Sequence, residues 1–516
     1  MADLGFWNLA QEDPAQVALV APDGRRITSG DLLAASNQLV HGLRALGLEP
    51  GDCIATVLPN GTPMVELYLA AAQGGWYLTP INHHLTASEI AYIVQDSEAK
   101  MFVGAEPFAS ACAGAARELG FPPRALFAAG HVPGFRAYTE ITEGQPVTTP
   151  ENRSAGQVMN YTSGTTGRPK GVRRPLSPYD PDMVFSMYAM FLTMFGITPR
   201  DAGVHLTGSP LYHTAVLMFA GSSLHLGHTL VVMDKWTPEK CLEFIQTYRV
   251  TTTHMVPTQF HRLLALPEEV KKRYDVSSLR HVIHAAAPCP VEVKRRMLEW
   301  WGPVISEYYA ASEGGGTLVG PEEWLKYPGT VGRAWPTSAV RILDDAGAEC
   351  PVGQPGTVYM SLGPADFKYH KDEQKTAANR RDGFFTVGDI GYLNDDGYLF
   401  LCDRKIDMII SGGANIYPAE VESVLLTHPQ VADAAVFGIP DEDWGEQVKA
   451  VIEPAPGVAP SPQLAQEIIA FCVERTAKYK CPKSVDFIES MPRDPNGKLY
   501  KRKLRDPYWK GKERAI

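Results

Sequence analysis

The sequence predicts an α/β chain with a large domain followed by a smaller one, and three observations carry that expectation. The chain has 516 residues, more than a single hydrophobic core usually organises. Helix-length and strand-length apolar segments alternate from the start to about Val304, the pattern of helices covering mostly parallel sheets. From about Gly329 short β-like runs between turn residues take over. After Asp403-Arg404-Lys405 comes an α+β module of about a hundred residues.

Local chemistry justifies the elements in order. Ser29 can cap a helix in which Leu32, Leu39, Val40, Leu43 and Leu46 share a face, with Gly47 ending it. Cys53 to Leu58 is a short apolar strand, stopped by Pro59-Asn60-Gly61. The longest apolar stretch, Leu211 to Met233, is broken by His213, Gly221, Ser222, His225, Gly227 and His228. It reads as a buried helix and strand, not a membrane span. Met183, Met187, Met190 and Met194 fall on one helical face, read as core before ligand surface. The runs Ala339 to Leu343 and Gly356 to Met360 suggest a small antiparallel barrel or sheet. In the last module a helix is expected from Pro418, strands near Ala434–Gly438 and Val448–Glu453, and a helix over Pro462–Lys478.

Charge and cysteine usage narrow the function. A formal net charge of -10 argues against nonspecific nucleic-acid binding, although the tail from Lys498 onward is basic. Eight cysteines without a C-x-x-C pair read as reduced thiols. The first residues lack the basic start and apolar run of a signal peptide, and the last four match no targeting or lipidation signal. A cytoplasmic protein without integral membrane association is expected.

The strongest signal is the string Tyr161 to Gly171, Y-T-S-G-T-T-G-R-P-K-G. Glycines let several backbone N–H groups point at one anion, hydroxyls add donors, and Lys170 adds a positive charge. That is chemistry for a polyphosphate. It is no Walker A loop, because Lys170 is not followed by Ser or Thr. The string resembles the phosphate-loop signature of the adenylate-forming superfamily of acyl-CoA synthetases, luciferases and nonribosomal-peptide adenylation domains. Further motifs recur in that superfamily's order along essentially the whole chain.

The resemblance is nearest to bacterial fatty acyl-CoA synthetases. It implies a large N-terminal domain (residues 1–403) of two helix-flanked sheets plus a small β-barrel, a hinge at 404–406, and a small mobile α+β C-terminal domain (407–516). It also implies site residues. Thr162, Ser163, Gly164, Thr165, Thr166, Gly167 and Lys170 would hold the phosphates of ATP, with Thr166 and Lys170 also catalytic. Ala286, Ala287 and Pro288 would form the turn against adenine, with alanine where glycine is common. Glu307, Tyr308, Tyr309 and Ser312 would border the nucleotide. Glu313 would hold Mg²⁺, a cation that prefers carboxylate and phosphate oxygens. Asp389, with Arg404 as partner, would accept from the ribose hydroxyls.

Gly412 and Gly413 would line the thiol tunnel. Lys498, in the terminal signature that starts at Pro492, would catalyse adenylation by bridging two mutually repelling anions. Tyr212, His213, Met218, Val256, Ala310 and Ala311 are expected at the acyl site, with His213 a gate or an ordinary core histidine. One departure stands out: the family's interdomain pivot is commonly Asp or Lys, and this chain has Ile406 there. The pivot has moved to Lys405 or Asp407, or the second half-reaction is altered.

The expected partners are a small apolar carboxylic acid, fatty or bulky alicyclic, and coenzyme A, whose phosphates suit Lys478, Lys480 and Lys483. A homodimer is left open. The competing readings are an enzyme that stops at acyl-AMP or hands it to a partner, a luciferase-type oxidation, and a nucleotide-binding regulatory protein.

Overall fold

A computed structural model describes residues 4–162, 169–311, 313–361, 367–493 and 498–510, the side chains of Thr162 and Lys375 excepted. The chain forms two compact units. The first comprises residues 1–255, 266–283 and 365–378; the second comprises 256–265, 284–364 and 379–516.

The first unit holds one of the expected helix-flanked sheets and parallel strands of the other. In one, six strands run parallel in the order Arg136–Ala137, Leu126–Ala129, Ala99–Ala105, Cys53–Thr56, Tyr77–Pro80 and Gln157–Val158. Their apolar side chains and the helix Thr62–Gly74 are buried, as parallel sheets covered on both faces require. In the other, Val17–Val20 and Thr229–Val232 are parallel neighbours, as are Val204–Thr207 and Thr252–Met255. The broken apolar stretch is the helix Thr214–His225 followed by the strand Thr229–Val232.

A three-stranded antiparallel sheet stands apart, with Lys170–Arg173 between Asn160–Thr162 and Lys368–Tyr369.

In the second unit Ile305–Ala311 and Gly314–Val319 form an antiparallel pair. The expected β unit is a six-stranded antiparallel sheet that includes Val340–Leu343, Gly356–Ser361, Asp389–Leu393 and Leu399–Arg404. Two long strands, Val431–Asp441 and Gly445–Pro454, pair antiparallel, and the helices Pro418–Leu425 and Pro462–Val473 cover their buried face. The basic tail carries a helix, Lys501–Trp509, which sequence periodicity did not reveal.

Two expectations need correction. The helix Ser29–Ala45 is capped one residue earlier, by Thr28, whose hydroxyl accepts from the Asp31 N–H. Ser29 is its first residue and buried, so its hydroxyl is not the cap. The methionine face is not core: Met183 is 50% and Met187 62% exposed, because Val184, Phe185 and Ala189 supply the buried side of that helix. Among the described residues no helix is long and apolar enough to cross a membrane.

Candidate active site

In the first unit, Lys170 and Thr162 are paired opposite each other at the mouth of a β-hairpin. Ser163, Gly164, Thr165, Thr166 and Gly167 lie outside the described residues. The flanks are anchored. The Tyr161 hydroxyl donates to Asp96 at 2.7 Å, and the Tyr92 hydroxyl donates to the Pro169 carbonyl at 3.2 Å. Gly171 packs closely here: a Cβ would sit 2.5 Å from Met159 Cε and 3.1 Å from the Tyr161 ring, so the methionine would have to shift to admit one. Lys170 Nζ lies 3.1 Å from Asp372 Oδ2. That hydrogen bond raises the lysine further above its ordinary range, so it is a fixed cation. Asp372 carries no motif and was not found from the sequence.

The same unit shapes the turn ahead of the helix Thr214–His225. Asn60 ties it to the end of the strand Thr229–Val232: Nδ2 donates to the Ser209 and Met233 carbonyls at 3.0 Å each, and Oδ1 accepts from the Leu211 N–H at 2.7 Å. Tyr212 is buried, and its ring meets His213 at 4.3 Å and His83 edge-on at 5.0 Å. Burial, with His84 beside it, lowers His83 to about 4, so it packs as a neutral ring. Met218 is half-buried on the helix. Sequence reading reached Tyr212, His213 and Met218, but not Asn60 or His83.

The second unit brings together the groups expected around the nucleoside. Asp389 and Arg404 are paired opposite each other on adjacent antiparallel strands, with Arg404 Nε 3.5 Å from Asp389 Oδ1. The Tyr309 hydroxyl donates to Asp389 Oδ2 at 2.7 Å. Burial raises Asp389, while Arg404, Tyr309 and Lys498 pull it back. Tyr309 is raised well above its ordinary range by burial and by Asp389, and Glu313 adds to the effect. The charges of Lys498 and Glu313 are thus both felt at the Tyr309–Asp389 pair.

Lys498 directly precedes Leu499, which bridges Arg493, and the Tyr500 N–H donates to the Pro492 carbonyl. Arg493 is held by Asp433 with contacts of 2.5 and 2.7 Å.

The turn expected to border the base is strained. Ala286 has φ +75°, a left-handed conformation that costs a residue with a Cβ about 1–2 kcal/mol. Ala286 and Pro288 are exposed, and Ala287 is half-buried. Beside this turn Glu307 faces inward: Lys294 Nζ is 2.7 Å and His284 Nε2 3.4 Å from its Oε2. Burial works to raise Glu307, but Lys294 and His284 prevail and hold it at about 2. Its carboxylate is therefore spent on a buried ion pair, which suits support of the turn better than contact with a nucleotide. Tyr308 is buried and Ser312 lies outside the described residues. Ala310 and Ala311 are half-buried on the strand Ile305–Ala311, whereas Val256 is fully buried and its N–H donates to Gln259 Oε1.

Glu313 is 5% exposed. Among the described residues no group of three His, Cys, Asp or Glu could hold a metal by itself. A single buried carboxylate fits Mg²⁺, which takes one or two carboxylates and completes its shell with phosphate and water oxygens.

At the glycine loop Gly412 has φ +57° and Gly413 +78°. The Gly412 N–H donates to the Trp444 carbonyl, and a Cβ on Gly412 would collide with the Trp444 indole. Lys483 lies 5.0 Å over that ring and 3.8 Å from Asp441, and Lys480 is paired with Glu420 at 2.7 Å. At the expected hinge Ile406 is 42% exposed. Its neighbours carry the ion pairs instead: Lys405 meets Asp345 at 2.6 Å, and Asp407 meets Arg505 at 3.3 Å.

The AMP-binding enzyme family matches residues 6–368, and the AMP-binding enzyme C-terminal domain matches residues 420–498. The chain is 34% identical to a 2-succinylbenzoate–CoA ligase of Bacillus licheniformis, covering 95% of this chain and 98% of the relative. It is 33% identical to the long-chain-fatty-acid–CoA ligase FadD13 of Mycobacterium tuberculosis (98% and 99%). It is 31% identical to the fatty acid–[acyl-carrier-protein] ligase ScoC of Streptomyces coeruleorubidus (98% and 96%). Among solved structures, ATP-bound MatB of Rhodopseudomonas palustris superposes with a TM-score of 0.82 at 29% identity, over 98% of this chain and 99% of that one. The o-succinylbenzoate CoA synthetase MenE of Bacillus subtilis, in complex with its acyl-adenylate, gives 0.81 at 28% identity over 98% of each chain. The chain belongs to the AMP-binding enzyme family and is an ATP-dependent, AMP-forming acid ligase.

Proposed function

We propose that the protein is an acid–CoA ligase: it converts an apolar carboxylic acid and ATP to acyl-AMP and pyrophosphate, then transfers the acyl group to coenzyme A. The observation that carries this reading is the Tyr309–Asp389–Arg404 constellation with the Lys498 charge acting on it. A carboxylate that accepts from ribose hydroxyls, beside a lysine able to bridge two anions, is what adenylation needs.

In the first step Lys170 and the 162–167 loop hold the phosphates, Thr166 among them, and Ala286, Ala287 and Pro288 border the base. Asp389 takes the ribose hydroxyls. Lys498 aligns the carboxylate with the α-phosphorus and stabilises charge in the pentavalent transition state. Mg²⁺ held by Glu313 would supply further neutralisation of phosphate charge. Oxygen attacks phosphorus, the bond to pyrophosphate breaks, and the mixed anhydride remains.

In the second step a thiolate attacks the acyl carbon and AMP leaves. The domain division at 1–403, 404–406 and 407–516 belongs to this reading, with the C-terminal domain withdrawing Lys498 and presenting the Gly412-Gly413 loop.

The acid is proposed to be apolar, fatty or bulky alicyclic, and Tyr212, His213, Met218, Val256, Ala310 and Ala311 to border it. The buried ring of Tyr212 supports an apolar occupant. Coenzyme A is supported by the Lys483–Trp444 pair beside Gly412, a cation and an aromatic face suited to a nucleotide. The second reading, an enzyme that delivers acyl-AMP to a partner such as a carrier protein, is favoured by one observation, the exposed Ile406 at the hinge.

The test incubates the protein with ATP, Mg²⁺ and a panel of fatty, aryl and polycyclic acids, with and without CoA, following pyrophosphate, acyl-AMP and acyl-CoA. Acyl-CoA from an apolar acid supports the first reading. Acyl-AMP that accumulates despite CoA supports the second. No acid-dependent pyrophosphate from any member of the panel contradicts both.

A further inference from the structure

Lys501 looks in sequence like one more solvated charge of the basic tail, but its side chain is only 13% exposed. Its ammonium lies 2.8 Å from Glu422 and 4.0 Å from Asp403. Burial works to lower it, but Glu422, Asp403 and Asp407 prevail and raise it, so Lys501 is a permanent buried cation.

Asp403 is equally enclosed, with its side chain 9% exposed. Its Oδ2 accepts from the Ala419 N–H at 2.8 Å, in the first turn of the helix Pro418–Leu425, and its Oδ1 accepts from the Arg404 N–H at 2.7 Å. An anion there is favoured by the helix N-terminus as well as by Lys501. One turn further along the tail helix, Arg505 donates to the Ile406 carbonyl at 3.2 Å and meets Asp407 at 3.3 Å.

The placement along the chain matters. Asp403 directly precedes Arg404, which meets Asp389. Lys501 opens the helix that follows Lys498. The Lys501–Asp403 contact therefore ties the base of the segment carrying Lys498 to the strand that carries the ribose-site arginine. Buried charge pairs do little for net stability but can fix one arrangement against others.

We propose that Lys501 and Asp403 are a positioning pair that sets Lys498 against the Asp389 end of the site for adenylation. The proposal rests on reading Lys498 as the adenylating lysine and residues 404–406 as the hinge. Lys501–Glu422 and Arg505–Asp407 lie on one side of that hinge and travel together. Asp403–Lys501 and Asp403–Ala419 span it, so they hold the adenylating arrangement and must release before thiol transfer. Neither Asp403 nor Lys501 touches substrate in this account.

The experiment uses the full chain with Lys501→Met, Lys501→Arg and Asp403→Asn, and the panel acid turned over fastest. The Asp403→Asn change keeps an oxygen for the Ala419 N–H, and removes the charge together with the acceptor for the Arg404 N–H. Acid-dependent ATP–pyrophosphate exchange reads the first half-reaction, and thioester formation from supplied acyl-AMP and CoA reads the second.

Lys501→Met and Asp403→Asn are expected to lower the exchange kcat by about 10- to 100-fold, because misplacement by about an ångström costs on that order. KM for ATP and the rate of thioester formation are expected to stay within about threefold, and Lys501→Arg to restore most of the exchange. Unchanged exchange in Asp403→Asn overturns the proposal, and so does an equal loss of both half-reactions. Lys498→Ala run alongside separates the two readings: if it retains exchange, the assignment of Lys498 fails and the pair has nothing to position.

Discussion

Tyr309 donates its phenolic hydrogen to Asp389 across 2.7 Å, joining the strand Ile305–Ala311 to the strand Asp389–Leu393. Burial and the neighbouring carboxylate keep the phenol protonated, so it serves as a donor at every working pH. A hydrogen bond to a charged group contributes about 1.5–3 kcal/mol. Tyr309→Phe should therefore raise KM for ATP by about tenfold or more. Burial also moves Asp389 above its ordinary carboxylate range, and protonation removes the acceptor. The acid limb of kcat/KM for ATP should accordingly lie above 3.8, the ordinary value for Asp. A pH–rate profile with its acid limb at or below that value contradicts the assignment.

Lys294 and Glu307 form a buried pair whose removal should be asymmetric. Lys294 is 0% exposed and lies 4.7 Å over the Trp324 ring. Lys294→Met alone leaves the buried carboxylate with only His284 beside it and should cost about 3–5 kcal/mol. Adding Glu307→Leu should recover most of that loss, read by urea denaturation. The pH dependence follows from the sign of the shift. Glu307 is depressed from 4.5 to about 2, so its contribution is fully present above pH 4.5 and is lost as pH falls through about 2. Wild type should lose this increment under acid, and the double variant should not.

Gly412 is held left-handed against Trp444. Gly412→Ala must strain the backbone and displace the indole. Thioester formation should fall by about tenfold or more, with pyrophosphate exchange changed by less than about threefold. Stopped assays of the two halves check this, and a larger loss in exchange would place the loop in the wrong step.

Asn60 bonds Ser209 and Leu211 on one turn and ties that turn to Met233 at the end of the strand Thr229–Val232. Asn60→Asp keeps the acceptor but sets a carboxylate oxygen against two carbonyls. It should raise KM for the acid by about tenfold, leave KM for ATP within about threefold, and cost about 1–3 kcal/mol of stability. Equal changes in both Michaelis constants would reduce Asn60 to a scaffold residue.

Much of the site was legible because its chemistry is local. The strands carrying Asp389 and Arg404 and the conformations of Gly412 and Gly413 are set by neighbours a few residues apart. Periodicity likewise marked the helix Ser29–Ala45 and the strands of the last module. What escaped depends on distant pairing. Asp372 meets Lys170 because Lys368–Tyr369 joins the same small sheet, and no spacing announces that. Lys294 and Lys501 have the composition of surface charges and became visible only when burial and partners were known. The methionine face misled for a related reason. Its regular spacing was real, but the opposite side of the helix carries the core.

The measurement that bears most directly on the central claim divides the reaction in Lys498→Ala. Acid-dependent pyrophosphate exchange should fall by at least about 100-fold, as loss of a charge stabilising the transition state requires. Conversion of supplied acyl-AMP and CoA to acyl-CoA should remain within about threefold of wild type. Exchange that survives the substitution, or both steps failing together, would contradict the account.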